Sequence, residues 1–392
     1  MERHVIARPL QCFQRALASL VLVCLYAAAA QAQPVPPGAS EPAAAQEPTE
    51  QRAINSVLSS TRIRLYTDVG FGRPPQEKLP EGGLQGSKYS FQMADIELFI
   101  TSRLSDQWSV LADILFTSDF SNEFESETDR LLIQYSANNY FRVGFGKFNS
   151  GIGYYPNQFH RAKFYQIATG RPLMFSDEDN GGVLPIHQVG ITAQGEIPSG
   201  ALGLHYIAEI SNGRAFSLAS AEIQNFADRD NFKAVNGGLF VRPDAAPALD
   251  AGFTVYHDKV ETDTHAKFDE MITAVHATWV TPNFEFLNEL AVLKHTAEAG
   301  DTTDTTKTFY TQISPRFGVT RPYARYEYQD VPATDPLFGL GDVSPAAGVR
   351  KAFSAGVHYS LGAFAVIKVQ YDRAQQFGVW ANGAHAQLAV AF

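Results

Sequence analysis

Hydrophobic and polar residues alternate along most of the chain with a period of two. Near the C-terminus, for example, Ile367, Val369 and Tyr371 alternate with Lys368 and Gln370. This period is typical of a β-strand with one apolar face, whereas a helix shows a period of about 3.6. Sixteen segments share the pattern and are predicted to be strands: 61–71, 91–104, 108–116, 130–136, 140–145, 187–195, 202–210, 232–242, 249–257, 271–280, 284–294, 308–317, 323–329, 351–360, 365–372 and 384–392.

The connections between these segments alternate between short and long. The short ones lie at 105–107, 136–139, 198–200, 243–248, 281–283, 318–322 and 361–363. The long ones lie at 72–90, 117–129, 147–186, 212–231, 258–270, 295–307, 330–350 and 373–383. Tight turns at one end and polar loops at the other are typical of bacterial outer-membrane barrels, with the turns in the periplasm.

The predicted fold class is all-β: a transmembrane antiparallel β-barrel of sixteen strands. No stretch after the N-terminal segment has the length of a membrane helix, and a closed barrel is the other structure that satisfies every backbone polar group in lipid. The apolar strand faces would then contact lipid and the polar faces would line the interior. The alternative is a soluble two-layer β protein that buries the same apolar faces in its core.

The first 32 residues have the pattern of a secretory signal peptide. Arg3, Arg8 and Arg15 precede an apolar stretch, and Ala30 and Ala32 form a small-x-small cleavage site. The apolar stretch has about 15 residues, fewer than the roughly 20 that span a bilayer. We therefore expect Sec-type export and cleavage near Ala32. Residues 33–56 are rich in Pro, Ala and Glu and are predicted to be flexible, which leaves 57–392 for an outer-membrane barrel.

Composition narrows the function. The chain has 392 residues, 18% charged and 12% aromatic, with a formal net charge of -10. The acidic balance argues against a nucleic-acid partner. The sequence contains no Gly-x-Ser-x-Gly elbow and no His-Glu-x-x-His zinc motif, so we expect no enzyme, no catalytic or metal site and no cofactor. The alternative is an outer-membrane barrel enzyme such as a lipid hydrolase.

Several motifs carry a family resemblance. The segment Arg142–Phe148, followed after a long interval by Leu184–Gly190, resembles the phosphate-selective porin family and its porin-like relatives. Asn212-Gly213 and Phe240–Pro243 are similar to further landmarks of that family. The terminal Phe392 resembles the signal through which the barrel-assembly machinery recognises outer-membrane barrels.

The resemblance covers roughly residues 60–392. It implies a sixteen-stranded barrel, usually a homotrimer, in contact with outer-membrane lipid. It also implies that the third external loop folds into the pore, and the segment 147–186 is the longest of the predicted loops. The expected function is a porin, a water-filled channel for passive diffusion of small hydrophilic solutes or ions.

Selectivity in such a channel depends on pore width and on the charges that line it. The candidates are charged residues of the inward strand faces and of the third loop: Arg142, Lys147, Arg161, Lys163, Arg171, Arg316, Arg325, Glu327, Lys368 and Asp372. The basic members would attract anions, since a guanidinium fork matches the oxygens of phosphate. Alternatively, they pair with nearby carboxylates and hold the loop in place; Arg325 and Glu327 are close enough in sequence to pair.

Phosphate specificity is not expected, because the chain is net acidic. The second predicted loop carries a run of carboxylates: Asp119, Glu123, Glu125, Glu127 and Asp129. We interpret this run as a solvated external loop, with divalent cations as candidate ligands, rather than as a pore element. A general diffusion channel is the expected function.

Overall fold

The computed structural model describes residues 57–73, 77–78, 84–85, 89–118, 124–159, 163–176, 181–214, 232–261, 267–298, 302–339 and 346–392. The predicted signal peptide, its cleavage site at Ala32 and the segment 33–56 lie outside this range and remain predictions. No helix within these residues is long and apolar enough to cross a membrane.

Sixteen strands form one closed antiparallel barrel, which confirms the predicted fold class. We number them β1–β16 in chain order: Arg62–Arg73, Ser90–Arg103, Trp108–Ser118, Phe124–Asn138, Phe141–Asn149, His187–Ile197, Leu204–Ser211, Ala234–Val241, Leu249–Glu261, Lys267–Thr281, Phe284–Ala297, Thr303–Pro315, Thr320–Val331, Gly348–Ser360, Ala365–Gln376 and Val379–Ala391. Two short strands between β1 and β2, Glu77–Lys78 and Leu84–Gln85, pair only with each other.

The barrel closes where the first strand pairs with the last. Strands β1 and β16 are antiparallel, with Val69 opposite Leu388. The C-terminal residue extends this seam: the Phe392 amide donates to the Leu65 carbonyl at 3.0 Å, and the Leu65 amide donates to the Phe392 carbonyl at 2.7 Å. Closure leaves none of the sixteen barrel strands with an unpaired edge within the described residues, so the backbone of the barrel wall is paired all the way round.

The strands present opposite chemistry on their two faces. On the outer face, Phe253, Val275 and Leu290 are 46%, 41% and 44% exposed. On the inner face of the same part of the sheet, polar residues such as Asp258 and His276 are buried. This is the reverse of a soluble barrel, which buries its apolar side chains and exposes the polar ones.

Loops and turns segregate to opposite ends of the barrel, although most of the loops are shorter than predicted. The predicted loop 373–383 is a two-residue hairpin turn, with φ values of 49° at Phe377 and 79° at Gly378. Two successive positive φ values are typical of a type I′ turn. The short α-helix Tyr155–Gln158, here α1, lies in the third loop.

The acidic run of the predicted second loop lies largely within a strand. Glu125, Glu127 and Asp129 belong to β4, and Asp129 is fully buried. The interpretation of this run as an external loop is therefore wrong for these three residues, although Glu125, at the loop end of the strand, is exposed. The sequence pattern did not predict a strand here because both faces of this part of β4 are polar. An alternation of apolar and polar residues can be recognised only where one face is apolar.

Candidate pore and its inserted loop

The described parts of the third loop, residues 150–159, 163–176 and 181–186, fold into the barrel against one side of the inner wall. Strands β9–β12 provide apolar side chains there, all at most 2% exposed: Tyr256, Ile272, Leu287, Leu293 and Tyr310. The loop provides the other half of the same cluster: Ile152, Tyr155, Met174, Phe175, Val183 and Leu184. Burial of these side chains stabilises the loop inside the barrel. We call this side of the interior the packed wall.

Carboxylates of the packed wall accept hydrogen bonds from backbone amides of the loop. Glu289 on β11 accepts from the amides of Tyr154 at 2.6 Å and Tyr155 at 3.0 Å. It also accepts from the Tyr310 hydroxyl at 2.7 Å. These amides lie at the start of α1, where backbone N–H groups lack partners within the helix. A single glutamate therefore satisfies the N-terminus of this helix and a buried tyrosine.

Two further glutamates bind the loop in the same way. Glu209 on β7 accepts from the Gly151 amide at 3.1 and 3.0 Å through its two oxygens. Glu327 on β13 accepts from the Leu173 amide at 2.5 Å, at the start of a 3₁₀ turn. Hydrogen bonds to an ionised carboxylate are stronger than neutral ones. The loop is thus held at its beginning and in its second half.

Two basic residues on strands beyond the packed wall, Arg325 on β13 and Lys368 on β15, donate hydrogen bonds to backbone carbonyls of the loop. Arg325 donates to the carbonyls of Gly170 at 2.9 Å and Arg171 at 3.2 Å. Its Nε also lies 3.2 Å from Glu327, the pair that the sequence spacing predicts. Lys368, which is fully buried, donates to the carbonyl of Ala168 at 3.0 Å and to that of Lys163. Both cations hold the loop by its backbone.

The tip of the loop crosses the interior to the first two strands. The Lys163 ammonium lies 3.3 Å from Asp68 on β1 and 3.4 Å from Asp95 on β2. The Tyr165 and Tyr66 hydroxyls are 3.3 Å apart. The loop therefore spans the barrel between opposite walls and narrows its interior.

The wall formed by β2–β5 has a different character, and we call it the open wall. Its interior face carries Arg130, Gln134 and Arg142, all of which are half-buried. The Arg142 Nε has no hydrogen-bond partner among the described residues. A cavity of about 700 Å³ lies at the turn end of this wall, and its lining includes Arg62 and Arg103.

The remaining candidates occupy varied places. Lys147 is 3.3 Å from Glu127 on the adjacent strand, and Asp372 accepts from Ser354 at 2.5 Å. Arg171 is a half-buried residue of the loop. Arg316 differs from the prediction: it lies in the exposed turn after β12, where it donates to the Gly318 carbonyl at 2.8 Å.

Arg161, together with the neighbouring His160, lies outside the described residues. So does the acidic segment Asp177–Asp179 of the same loop.

A buried charge network lies towards the loop end of the packed wall. Arg214 is 2.9 Å from Glu270, and His295 contacts Glu270 at 3.1 Å and Asp335 at 2.8 Å. Arg214 also donates to the Val183 carbonyl at 2.8 Å, which ties the network to the third loop. The sequence gives no sign of it, because its members come from four separate segments.

Asp335 connects this network to the loop between β13 and β14. It accepts hydrogen bonds from the amides of Leu337 at 2.9 Å and Phe338 at 2.8 Å. Burial alone would raise the pKa of Asp335. The hydrogen bond and charge of His295, with the two amides, outweigh burial and hold that pKa below its usual value. The carboxylate form is therefore the one that fits this loop.

Comparison with known structures shows the same architecture at low sequence identity. The anion-selective porin from Comamonas acidovorans is 13% identical, with 85% of this chain and 99% of that chain covered and a TM-score of 0.59. The outer membrane channel DcaP of Acinetobacter baumannii is 12% identical, with 85% and 97% covered and a TM-score of 0.57. Salmonella typhi OmpF in complex with daunomycin is 11% identical, with 85% and 97% covered and a TM-score of 0.55.

No model of a protein family matches the sequence, and a comparison with curated proteins finds no match. At identities this low, the structural likeness establishes a shared fold and nothing finer. The chain has a porin-like sixteen-stranded barrel with a loop folded into its interior.

Proposed function

We propose that this protein is an outer-membrane porin that forms a water-filled channel for small hydrophilic solutes or ions. The observation that carries the proposal is the inversion of the barrel: apolar side chains are exposed outside, and charged side chains line the inside. An exposed apolar band is costly in water and favourable in lipid. A sixteen-stranded barrel is also wide enough to hold an aqueous interior around its inserted loop.

The solute path follows the open wall. The packed wall is blocked by the apolar cluster beneath the loop, whereas half-buried Arg130, Gln134 and Arg142 face the interior on β4 and β5. The same wall carries Glu97 and Asp113, and Arg130 is 2.9 Å from Asp113. A path lined by both signs of charge favours broad permeability over specificity for phosphate.

Transport is passive in this proposal, and the protein is not an enzyme. Three of the buried carboxylates, Glu209, Glu289 and Glu327, accept hydrogen bonds from backbone amides of the third loop, which supports a structural role for them rather than acid–base chemistry. Solutes would diffuse down their gradients without a covalent step.

The barrel-assembly machinery is the proposed partner of the terminal Phe392, which is 72% exposed at the seam. The structural neighbours include a trimeric form of OmpT of Vibrio cholerae, 9% identical with a TM-score of 0.53. A homotrimer is accordingly the proposed assembly of this chain.

The test is ion conductance of the full chain, refolded in detergent and inserted into a planar bilayer under a salt gradient. We expect discrete current steps and a small reversal potential, since the path carries both signs of charge. A difference in gel migration between the unheated and the heated protein would verify folding, because closed barrels resist unfolding by detergent. A folded barrel that produced no current steps would refute the channel.

A further inference from the structure

A second cluster of polar side chains lies apart from the loop anchors, between β4 and β6. One ligand atom from each of Glu127, Asp129 and His187 lies within 4.8 Å of the other two. Asp129 is fully buried and His187 is 2% exposed, whereas Glu127 is half-buried. Two carboxylates and an imidazole are a common donor set for first-row divalent cations.

The local backbone explains why these three side chains converge. The pairing of β3 with β4 shifts register between Asp113 and Ile114, and Asp129 is the extra residue on β4 at this bulge. A bulge turns the side chain of the extra residue away from the regular alternation. His187 is the first residue of β6, immediately after the third loop. The cluster therefore joins the wall to the root of that loop.

Asn149 gives an independent indication of a bound cation. It lies directly opposite His187 in the pairing of β5 with β6, so both side chains share one face of the sheet. Asn149 is 8% exposed. Its amide nitrogen donates to the Pro156 carbonyl at 2.9 Å, but its Oδ1 is buried without a hydrogen-bond partner among the described residues. An amide oxygen is a competent metal ligand.

We propose that Glu127, Asp129 and His187, with Asn149 opposite His187 as a further candidate ligand, form a binding site for a divalent transition-metal cation such as Zn²⁺. Bonds of about 2.0–2.2 Å to such a cation would bring the ligand atoms to about 3.5 Å from one another. Binding would contract the observed spacing through rotation of these side chains. The bound cation joins β4 to the two ends of the third loop and fixes the root of that loop.

The Lys147 ammonium would compete with a metal cation for Glu127. This ammonium lies 3.3 Å from Glu127, so it places a positive charge beside the cluster. A divalent cation that binds Glu127 must displace this ammonium or bind against its repulsion. Removing the charge of Lys147 should therefore strengthen metal binding, an effect that a merely structural cluster would not show.

The experiment is calorimetric titration of Zn²⁺ into the full chain, refolded in detergent, stripped with a chelator and free of any histidine tag. We expect one Zn²⁺ per chain, at least about 10-fold weaker binding in His187→Gln, and about 10-fold stronger binding in Lys147→Met. Mg²⁺ should compete poorly, because it prefers an octahedral shell of oxygen atoms. His205→Gln, which removes a histidine of β7 away from the site, is the matched control and should bind as the wild type does.

Hydrogen exchange provides the second measurement. Zn²⁺ should slow exchange of backbone amides at the root of the third loop, near 149–151 and 187, in the wild type and not in His187→Gln. If His187→Gln does not fold, Glu127→Gln takes its place. Equal affinity in the wild type and the folded variant, or Zn²⁺ bound without slower exchange at the root, would overturn the proposal. Neither measurement uses current, so a barrel that does not conduct still gives a decisive answer.

Discussion

The packed wall and the open wall are built from strands with the same alternation of residues, but their inward side chains differ in polarity and burial. On β9–β12 the inward side chains include Ile272, Leu287 and Leu293, which are buried under the third loop. On β4 and β5 the inward positions include Arg130 and Arg142, which are half-buried. One barrel thus contains a small protein core on one side and a polar surface on the other. The loop is held by packing and by carboxylates on the first side, which leaves the second side for solutes.

The largest expected effect is the loss of Glu289 from the packed wall. Glu289→Ala should destabilise the loop by about 4 kcal/mol, because three buried donors, the amides of Tyr154 and Tyr155 and the Tyr310 hydroxyl, lose their shared acceptor. Hydrogen exchange at the Tyr154 and Tyr155 amides measures this. Glu196→Ala, at an inward position of β6, is the control and should leave exchange at both amides unchanged. Equal protection in Glu289→Ala and the wild type would show that packing alone holds the loop.

The next largest effect is the loss of unfolding free energy when a leucine is replaced by alanine, compared between one leucine on each wall. Leu293→Ala should lower the free energy of unfolding by about 3 kcal/mol, since it leaves a cavity in a fully buried site. Leu132 on β4 is half-buried, so Leu132→Ala should cost about 1 kcal/mol. Urea unfolding of the two refolded variants gives both values. Similar losses would mean that the open wall is packed as tightly as the other.

A pH dependence is expected at the loop that Asp335 holds. The pKa of this carboxyl is lower in the folded state than in the unfolded state, so its contribution is complete above the unfolded value of about 3.9. It is lost as the pH falls through the folded value, which lies below about 3.9. His295, Glu270 and Arg214 are the charged groups that face it through the network.

The protection factors of the Leu337 and Phe338 amides against hydrogen exchange should therefore fall below about pH 4. Asp335→Asn should destabilise this loop by about 2 kcal/mol at neutral pH, since it replaces a charged acceptor by a neutral one. The variant should also lose the acid-dependent step. An equally steep step in the variant would assign the transition to another carboxylate.

Replacement of Arg142 should have the smallest effect on the free energy of unfolding but a measurable effect on ion selectivity. Arg142→Ala on the open wall should change the free energy of unfolding by less than about 0.5 kcal/mol, because the side chain is half-buried and its Nε has no hydrogen-bond partner among the described residues. In the channel we propose, it should shift the reversal potential towards cation preference. An unchanged reversal potential would place the solute path away from β5.

Sequence reasoning recovered the strands because the alternation of apolar and polar residues depends only on chain geometry. It failed where both faces of a strand are polar, as at Glu127 and Asp129 on β4. It also missed the turn at Phe377, because phenylalanine is rare where φ is positive and the usual Asn-Gly or Asp-Gly signal is absent.

The candidate residues show a similar division. The spacing of Arg325 and Glu327 on one face was enough to predict their contact, since neighbours two apart on a strand lie on the same side. Their further role as loop anchors could not be predicted, because the partners, Gly170 and Leu173, are more than a hundred residues away and act through backbone atoms. A backbone carbonyl carries no signature in the sequence.

The sequence by itself determined the all-β class, the number of strands, the ends at which turns and loops lie, and, for most strands with one apolar face, which side chains face inward. These follow from the period of two and from the positions of the turns. The tertiary structure alone decided which inward residues are buried under the loop, which carboxylates bind backbone amides, and where Asp129 meets His187. These contacts depend on the path of one long loop, and that path is set by packing and by hydrogen bonds to backbone atoms that every residue type shares.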